Sequence, residues 1–405
     1  MNESSASKLD DQWRTTPLVS IIISNYNYAP YLAAAIDSAL AQDYRNSEII
    51  VVDDGSTDRS REIIASYGSQ LTAIYKQNGG QASALNAGFA ASRGEIIIFV
   101  DADDLLLPNS LNRIVGEFRD TAILNVHWAM WIIDTYGKRN GSTMPPQPPL
   151  DGDLRDRLIE FGPTNVPASP TSGNAWRREL LTRILPIPEG VSYFRLCADE
   201  YLYTLAPAFG LVKTIREPQS CYRIHGNNVY SGRSMQEKLA IELAGYDEVC
   251  RALQNILSRN GIAVDLHSWK RYSWFHRLDR ALSDICATIP DGEQIVLVEG
   301  GTWDATGAFG SRAVRPFIEQ EGLDWGPPAD CECAIDQFEA VRQQGAQYFV
   351  IGWPAFWWFD AYPGFARHLE QSANCLVRND YVAIFRLDRR VALQLRAGVS
   401  QMVSR

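Results

Sequence analysis

The sequence predicts an α/β protein: a mostly parallel sheet with helices on both faces, followed by a helical connector and a second, smaller α/β domain. Three observations lead there. From Pro17 to about Phe118, short branched apolar runs alternate with helical patterns, the mark of successive strand–helix–strand units. The strand runs are apolar at almost every position, as in strands covered on both faces. A second alternation of the same kind begins near Asp291, after two amphipathic helical stretches.

In order, "LVSIIIS" reads as a strand, "YLAAAIDSALAQ" as a helix, "SEIIVVDDGS" as a strand and "DRSREIIASYG" as a helix. "LTAIYKQ", "QASALNAGFAASRG" and "EIIIFV" continue as strand, helix and strand. The stretch from Thr121 to Asn228 is less regular, and its proline-rich pieces "TMPPQPPLDGDL" and "GPTNVPASPTSGN" read as loops. Leu239, Leu243, Tyr246, Val249, Cys250, Leu253 and Leu257 recur at spacings of three and four and mark an amphipathic helix. A second helix is expected over Leu266 to Ile285. Beyond it come "EQIVLVEG", "AIDQFEAVRQQG", "AQYFVIG", "YPGFARHLEQS" and a hairpin turning at Asn379-Asp380. The expected organisation is a disordered leader over 1–16, a large α/β domain over 17–232 (halves 17–120 and 121–232), a helical connector over 233–288, a small α/β accessory domain over 289–390 and a tail over 391–405.

Composition narrows the function. With 46% hydrophobic and 21% charged residues the chain is globular, and 405 residues suffice for two or three cores. A net charge of −10 argues against nucleic acid as a partner, yet a local metal or backbone site still suits a phosphorylated ligand. The seven cysteines are odd in number, scattered and without zinc spacing, which fits a reduced, cytoplasmic protein. The start of the chain has no signal-peptide pattern, and "YFVIGWPAFWWF" is too short to span a membrane. Membrane contact is expected to be peripheral at most.

Parallel α/β sheets bind ligands beyond the carboxyl ends of their strands. Those ends are polar here: Ser24 to Asn27, then Asp53 and Asp54, then Asp101, Asp103 and Asp104. Like charges after a buried strand need compensation, since two carboxylates about 4 Å apart repel by about 4 kcal/mol at an effective dielectric of about 20. Asp101-Ala102-Asp103 supplies hard oxygen ligands suited to Mg2+ or Mn2+ shared with a diphosphate. Asp54 is placed to accept from a ring N–H, and Tyr26 to stack on a base or simply to pack. Asn78-Gly79-Gly80 precedes a helix, so its backbone N–H groups suit an anion.

Four blocks, "VSIIISNYNYAPYLAAAIDSALAQDY", "EIIVVDDGSTD", "NGGQASALNAGFAASRGEIIIFVDADD" and "ADEYLYTLAPAFG" with the later "EPQSCYRIHGNN", resemble the family 2 glycosyltransferases of the GT-A fold. The resemblance spans about Val19 to Asn228. It implies inverting transfer of a sugar from a nucleoside-diphosphate sugar, most often UDP-linked, to a hydroxyl of a glycan or lipid-linked saccharide, with a divalent cation. It assigns Ser24, Tyr26, Asp54, Asn78, Gly80 and Asp101 to the nucleotide, and Asp101, Asp103 and His225 to the metal. Apart from the resemblance, the polar loop with Ser172, Gly173 and Asn174 suits either the lining of a sugar or acceptor pocket or ordinary turn chemistry. The general base falls on Asp199, with Glu200 as the alternative. Where the family carries an acidic pair, this chain has Ala198 before Asp199. The resemblance also implies a bacterial surface or secreted polysaccharide as product, work at the inner face of the membrane, and leaves room for a homodimer. Two rival readings are a non-catalytic sugar-nucleotide or glycan-binding module and a sugar nucleotidyltransferase. The latter should carry a glycine-rich, basic loop after the first strand, and "SNYNYAPY" has neither glycine nor a positive charge.

Two further stretches are unusual. "WPAFWWFDAYPGF" suits either a sugar-gripping surface or a core, and burial is the more general use of aromatics. "HSWKRYSWFHRLDR" suits a headgroup surface or a helix packing one aromatic face inward.

Overall fold

The computed structural model describes residues 16–387 apart from 227, 229–232, 304–307, 321–322 and 325. These fall into two compact units, one holding the chain up to Gly232 with Ala244–Ser273, the other Arg233–Leu243 with the chain from Trp274 onward. The expected leader and tail lie outside the described residues, apart from Thr16.

In the first unit β1 (Val19–Asn25), α1 (Ala29–Leu40), β2 (Ser47–Asp53), α2 (Ser60–Ser66), β3 (Thr72–Tyr75), α3 (Gln81–Ala91) and β4 (Ile96–Asp101) follow the expected alternation. β4, β1, β2 and β3 lie side by side in that order, all parallel. The chain steps outward from β1 to β3 and then returns to the other side of β1 for β4. Connections therefore leave β1 and β4 in opposite directions, and a crevice opens at their carboxyl ends. The register sets Asn25 beside Asp53 and Ser24 beside Asp101.

Both sheet faces are covered, which is why the strands carry no alternation. Ile21, Ile23, Val51, Ile98 and Val100 pack with Leu32 and Ile36 of α1. On the other face α3 approaches so closely that a Cβ on Gly88 would meet Ile22 Cγ2 at 2.3 Å. Glycine permits that approach.

The chain continues through β5 (Leu105–Leu106), α4 (Ser110–Glu117), β6 (Ile123–Trp128), β7 (Met130–Ile133), β8 (Arg139–Met144), α5 (Arg155–Phe161) and β9 (Asn174–Arg177). Then come α6 (Arg178–Ile184), α7 (Asp199–Leu205), β10 (Leu211–Ile215) and β11 (Ser220–Arg223). β9 runs antiparallel between β4 and β6, and β10 pairs parallel with β6, completing a seven-stranded sheet. β5, β11, β7 and β8 form a separate four-stranded sheet in that order.

The segment expected as a connector holds α8 (Met235–Arg259), α9 (Leu266–Tyr272) and α10 (Trp274–Thr288), and the division between the units runs through it. The single helix expected over Leu266 to Ile285 is thus two. Ser273 turns extended, with φ −59° and ψ 124°. The break lets each piece keep its own packing: Trp269 is fully buried with its indole N–H on Ile159 O at 3.0 Å, whereas Leu278, Ala281 and Ile285 join the core of the second unit.

The second unit contains β12 (Gln294–Val298), β13 (Ala313–Pro316), α11 (Cys331–Gln343), β14 (Tyr348–Gly352), α12 (Pro363–Ser372), β15 (Asn374–Arg378) and β16 (Val382–Arg386). Its five strands lie in the order β13, β12, β14, β16, β15, with the first three parallel and the last two forming the hairpin. Asn379 Oδ1 accepts the Tyr381 and Val382 N–H groups at 2.9 and 3.0 Å and fixes the turn. The aromatic stretch serves this core. Trp358 and Phe365 are buried, and Trp353 lies between Trp303, at 5.1 Å, and the Arg277 guanidinium, at 5.0 Å. Trp357 is its one large side chain classed as exposed, at 48%. No helix among the described residues is long and apolar enough to cross a membrane.

One core contact has a pH signature. His127 on β6 is buried with Nε2 at 2.8 Å from Leu150 O and 2.9 Å from the Thr214 hydroxyl. Burial pushes its pKa from 6.5 down to about 4. A depressed folded-state pKa gives stability that is present above the unfolded value and lost as pH falls toward the folded one, because the unfolded chain takes up the proton first. His127→Gln should therefore flatten the fall in unfolding free energy between about pH 6.5 and 4, by up to about 3 kcal/mol. Urea unfolding of both proteins across that range measures it; parallel curves would show that His127 is not the group titrating.

Candidate active site

The crevice at the ends of β1, β2 and β4 is laced together before any ligand enters. Asn25 Nδ2 donates to Asp53 Oδ1 and to the Ser56 hydroxyl, both at 3.0 Å, and Asn27 Oδ1 accepts the Thr57 N–H at 2.8 Å. Asn27 adopts φ 60°, a conformation that asparagine tolerates. Tyr26 stands out from this loop at 45% exposure, its ring open to a partner.

Asp54 is buried and already occupied. Its oxygens accept from Lys76 Nζ at 2.6 Å, Asn78 Nδ2 at 3.2 Å, Gly79 N at 2.9 Å and Gly80 N at 2.7 Å. A carboxylate has about four acceptor positions, so a ring N–H would have to displace one of these donors. The anion cradled by the Gly79 and Gly80 N–H groups is thus Asp54 itself. Arg195 closes over the same loop, donating to Gly79 O at 2.9 Å and Asn78 Oδ1 at 2.8 Å. Gly80, at φ 88°, permits the closure, since a Cβ there would meet the Arg195 Cα at 2.8 Å.

The carboxylates at the end of β4 part company. Asp101 lines the crevice, its N–H on the Ser172 hydroxyl at 2.9 Å and Oδ1 accepting from Ser24 at 3.2 Å and Gln81 Nε2 at 3.3 Å. Burial raises its pKa, with the Asp103 and Asp199 carboxylates adding to the rise. Asp103 Oδ2 lies 2.9 Å from His225 Nε2. Asp104 is buried, accepts the Arg223 N–H at 2.9 Å, and has its pKa raised by burial and then by Asp103 and Asp101. Its role is to tie β11 to the acidic turn. Arg223 adds a second tie, Nε to Asp103 O at 2.7 Å.

His225 stands behind Asp103. Its ring stacks on Tyr31 at 4.9 Å, meets the edge of Tyr28 at 5.6 Å, and spends Nε2 on the carboxylate. So arranged it is placed to orient the Asp103 carboxylate. Among the described residues no three His, Cys, Asp or Glu side chains group to hold an ion by themselves. Asp101 and Asp103 still fit a divalent cation of the Mg2+ or Mn2+ kind, which takes one or two carboxylates and completes its shell with substrate phosphates and water. Burial, with the Asp103 and Asp199 charges adding to it, favours protonation of Asp101, a condition that a cation there would relieve.

Asp199 opens α7, and Glu200 follows it. The two point differently. Asp199 is bonded by the Thr171 side chain and backbone and by its neighbour's N–H, at 3.1 Å, and burial raises its pKa. Its charge also raises that of Asp101, which places both carboxylates in one crevice. Glu200 instead accepts the Tyr193 hydroxyl at 2.7 Å and acts electrostatically on Tyr246 and Cys250 of α8. Ser172, Gly173 and Asn174, expected to line a sugar pocket, are wholly buried and build the loop itself: Ser172 O accepts from Ser220, and Asn174 Nδ2 holds Ser169 O and Pro170 O at 2.8 and 2.9 Å. The Ser172 hydroxyl accepts the Asp101 N–H, and the neighbouring Thr171 hydroxyl accepts from Gln81 Nε2 at 3.1 Å. Sequence reasoning missed Lys76, Gln81, Arg195 and Arg223; position alone hinted at Gln81, the first residue after the Gly79-Gly80 entry.

Residues 20–184 match the glycosyl transferase family 2 model. An uncharacterized glycosyltransferase of Nostoc sp. is 37% identical over 278 residues, covering 66% of this chain and 85% of that protein. One from Rickettsia typhi is 53% identical over 96 residues, 24% of this chain and 30% of its own length, so the chain spans less than a third of that relative. A Pyrobaculum calidifontis mannosyltransferase, solved with GDP-Man and Mn2+, superposes at a TM-score of 0.46 with 19% identity over 68% of this chain and 77% of that one. With its parallel-rich sheet and loaded strand ends, the chain has the GT-A fold and belongs to glycosyltransferase family 2.

Proposed function

We propose that this glycosyltransferase inverts the anomeric carbon of a nucleoside-diphosphate sugar, most readily a UDP-sugar, as it transfers the sugar to a hydroxyl of a glycan or lipid-linked saccharide. The observation carrying this reading is the meeting of Asp101 and Asp199 in one crevice through Thr171. Asp101 and Asp103 would hold Mn2+ or Mg2+, which when bound neutralises the departing diphosphate. Asp199 takes the proton of the acceptor hydroxyl as its oxygen bonds to the anomeric carbon, and the bond from that carbon to the phosphate oxygen breaks with its electron pair on the nucleoside diphosphate. Glu200, turned to Tyr193, is left a structural part. His225 orients Asp103, and Tyr26 offers its face to the base. The catalytic unit acts in the cytoplasm beside the membrane, and the second unit accompanies it as an accessory domain.

Thermal shift with UDP and GDP, each with and without Mn2+, tests the donor site. Asp103→Asn should abolish the metal-dependent part of the stabilisation. If no nucleoside diphosphate stabilises the wild-type protein in a metal-dependent way and Asp103→Asn changes nothing, the reading is wrong. Asp199→Asn should keep nucleotide affinity within about threefold while lowering turnover by about 10²–10⁴, the range for loss of a general base. Loss of both binding and turnover would make Asp199 structural instead.

A further inference from the structure

Gln81 is the first residue of α3, and its amide reaches three elements of the crevice at once. Its Oε1 accepts the Ala198 N–H at 2.7 Å, and its Nε2 donates to Asp101 Oδ1 at 3.3 Å and to the Thr171 hydroxyl at 3.1 Å. Ala198 immediately precedes Asp199, and Thr171 bonds the Asp199 carboxylate. A carboxamide both accepts and donates from one short planar head, whereas an ionised carboxylate only accepts and an ammonium only donates. The local backbone supports the span. Gly80 lets the Arg195 backbone close against it, and the Arg195 guanidinium fastens the contact at Gly79 and Asn78.

We infer that Gln81 is a positioning residue that sets the separation between Asp199 and the Asp101 face of the crevice, aligning the acceptor hydroxyl with the sugar held by the diphosphate. This rests on the glycosyltransferase reading above. Gln81 adds little to donor affinity, because the nucleotide would be gripped by other loops. Its loss lets the start of α7 drift, and a displacement of about 1 Å costs on the order of 10²-fold in rate.

The test uses the full chain with Gln81→Met, Gln81→Glu, Thr171→Val and the Gln81→Met/Thr171→Val double variant. Turnover is release of nucleoside diphosphate from UDP-glucose, UDP-N-acetylglucosamine and GDP-mannose with water as acceptor. Calorimetry with UDP and GDP in Mn2+ gives affinity, and thermal melts without ligand give stability. The expected result for Gln81→Met is kcat down by about 30–100-fold, with KM and nucleotide affinity within about threefold and the ligand-free melt lowered by only about 2–8 °C. Gln81→Glu keeps the acceptor for Ala198 but sets a carboxylate against Asp101, so it should lower kcat at least as far as Gln81→Met. The double variant should lose no more than about threefold beyond the worse single one, as parts of one brace do. Gln81→Met with wild-type kcat, losses that multiply in the double variant, or kcat falling only together with stability and affinity would each overturn the inference. Should Gln81→Met not fold, Gln81→Glu with unchanged kcat overturns it equally. A wild-type protein with neither nucleotide response nor turnover defeats the underlying reading and the inference together; a responsive wild type beside a silent Gln81 defeats the inference alone.

Discussion

Four carboxylates converge on the end of β4 and the start of α7, and the rest of the first unit is arranged to tolerate them. Asp101, Asp103 and Asp104 come from one strand end, and Asp199 arrives from a helix almost a hundred positions later. Each repulsive pair costs a few kcal/mol at a protein-like dielectric, so none can be left bare. Asp104 accepts the Arg223 N–H, Asp103 is held by His225, and Asp199 is bonded by Thr171. Asp101, held by the neutral donors Ser24 and Gln81, keeps the repulsion its neighbours impose. That residual imbalance faces the crevice, where a cation and a diphosphate would settle it.

The second charged node differs in kind. Asp54 carries no such imbalance, because Lys76 and three N–H donors surround it. It sets the shape of the Asn78-Gly79-Gly80 loop, and that loop in turn presents Gln81 and receives Arg195. The Asp54 end of the crevice is thus built around a carboxylate met by an ammonium and backbone donors, the Asp101 end around one met by neutral donors. A residue type read from sequence does not distinguish the two, since both are aspartates after buried parallel strands.

What the sequence made legible follows from this. Ile21 to Ile23, Ile49 to Val52 and Ile96 to Val100 announce strands buried on both faces, because burial there leaves no room for polar alternation. The hairpin at Asn379 was equally readable, since asparagine side chains close turns. Contacts between distant segments were not. Gln81 with Ala198 and Asp103 with His225 are separated by 117 and 122 positions, and no local propensity encodes such pairs. The break at Ser273 was hidden for a similar reason: the helical period runs on through it, and only the packing of Trp269 and Leu278 in different units requires it. Ser172, Gly173 and Asn174 looked like pocket chemistry because small polar residues serve open loops and buried ones alike.

The junction of the two sheets explains why the acidic turn stays in place. β5 begins directly after Asp104 and pairs with β11, the strand that delivers Arg223 and leads to His225. The residues that restrain the acidic cluster are therefore carried by the strand to which the turn is itself hydrogen-bonded. A shift of the turn would break the β5–β11 pairing and the carboxylate contacts together. Because the small sheet also reaches the crevice through Ser220, which bonds Ser172 O and the Trp128 indole, the loop bearing Thr171 is tied to the same strand. The acidic turn and the Thr171 loop thus share one support, and Gln81 spans the distance between Asp101, Thr171 and Ala198.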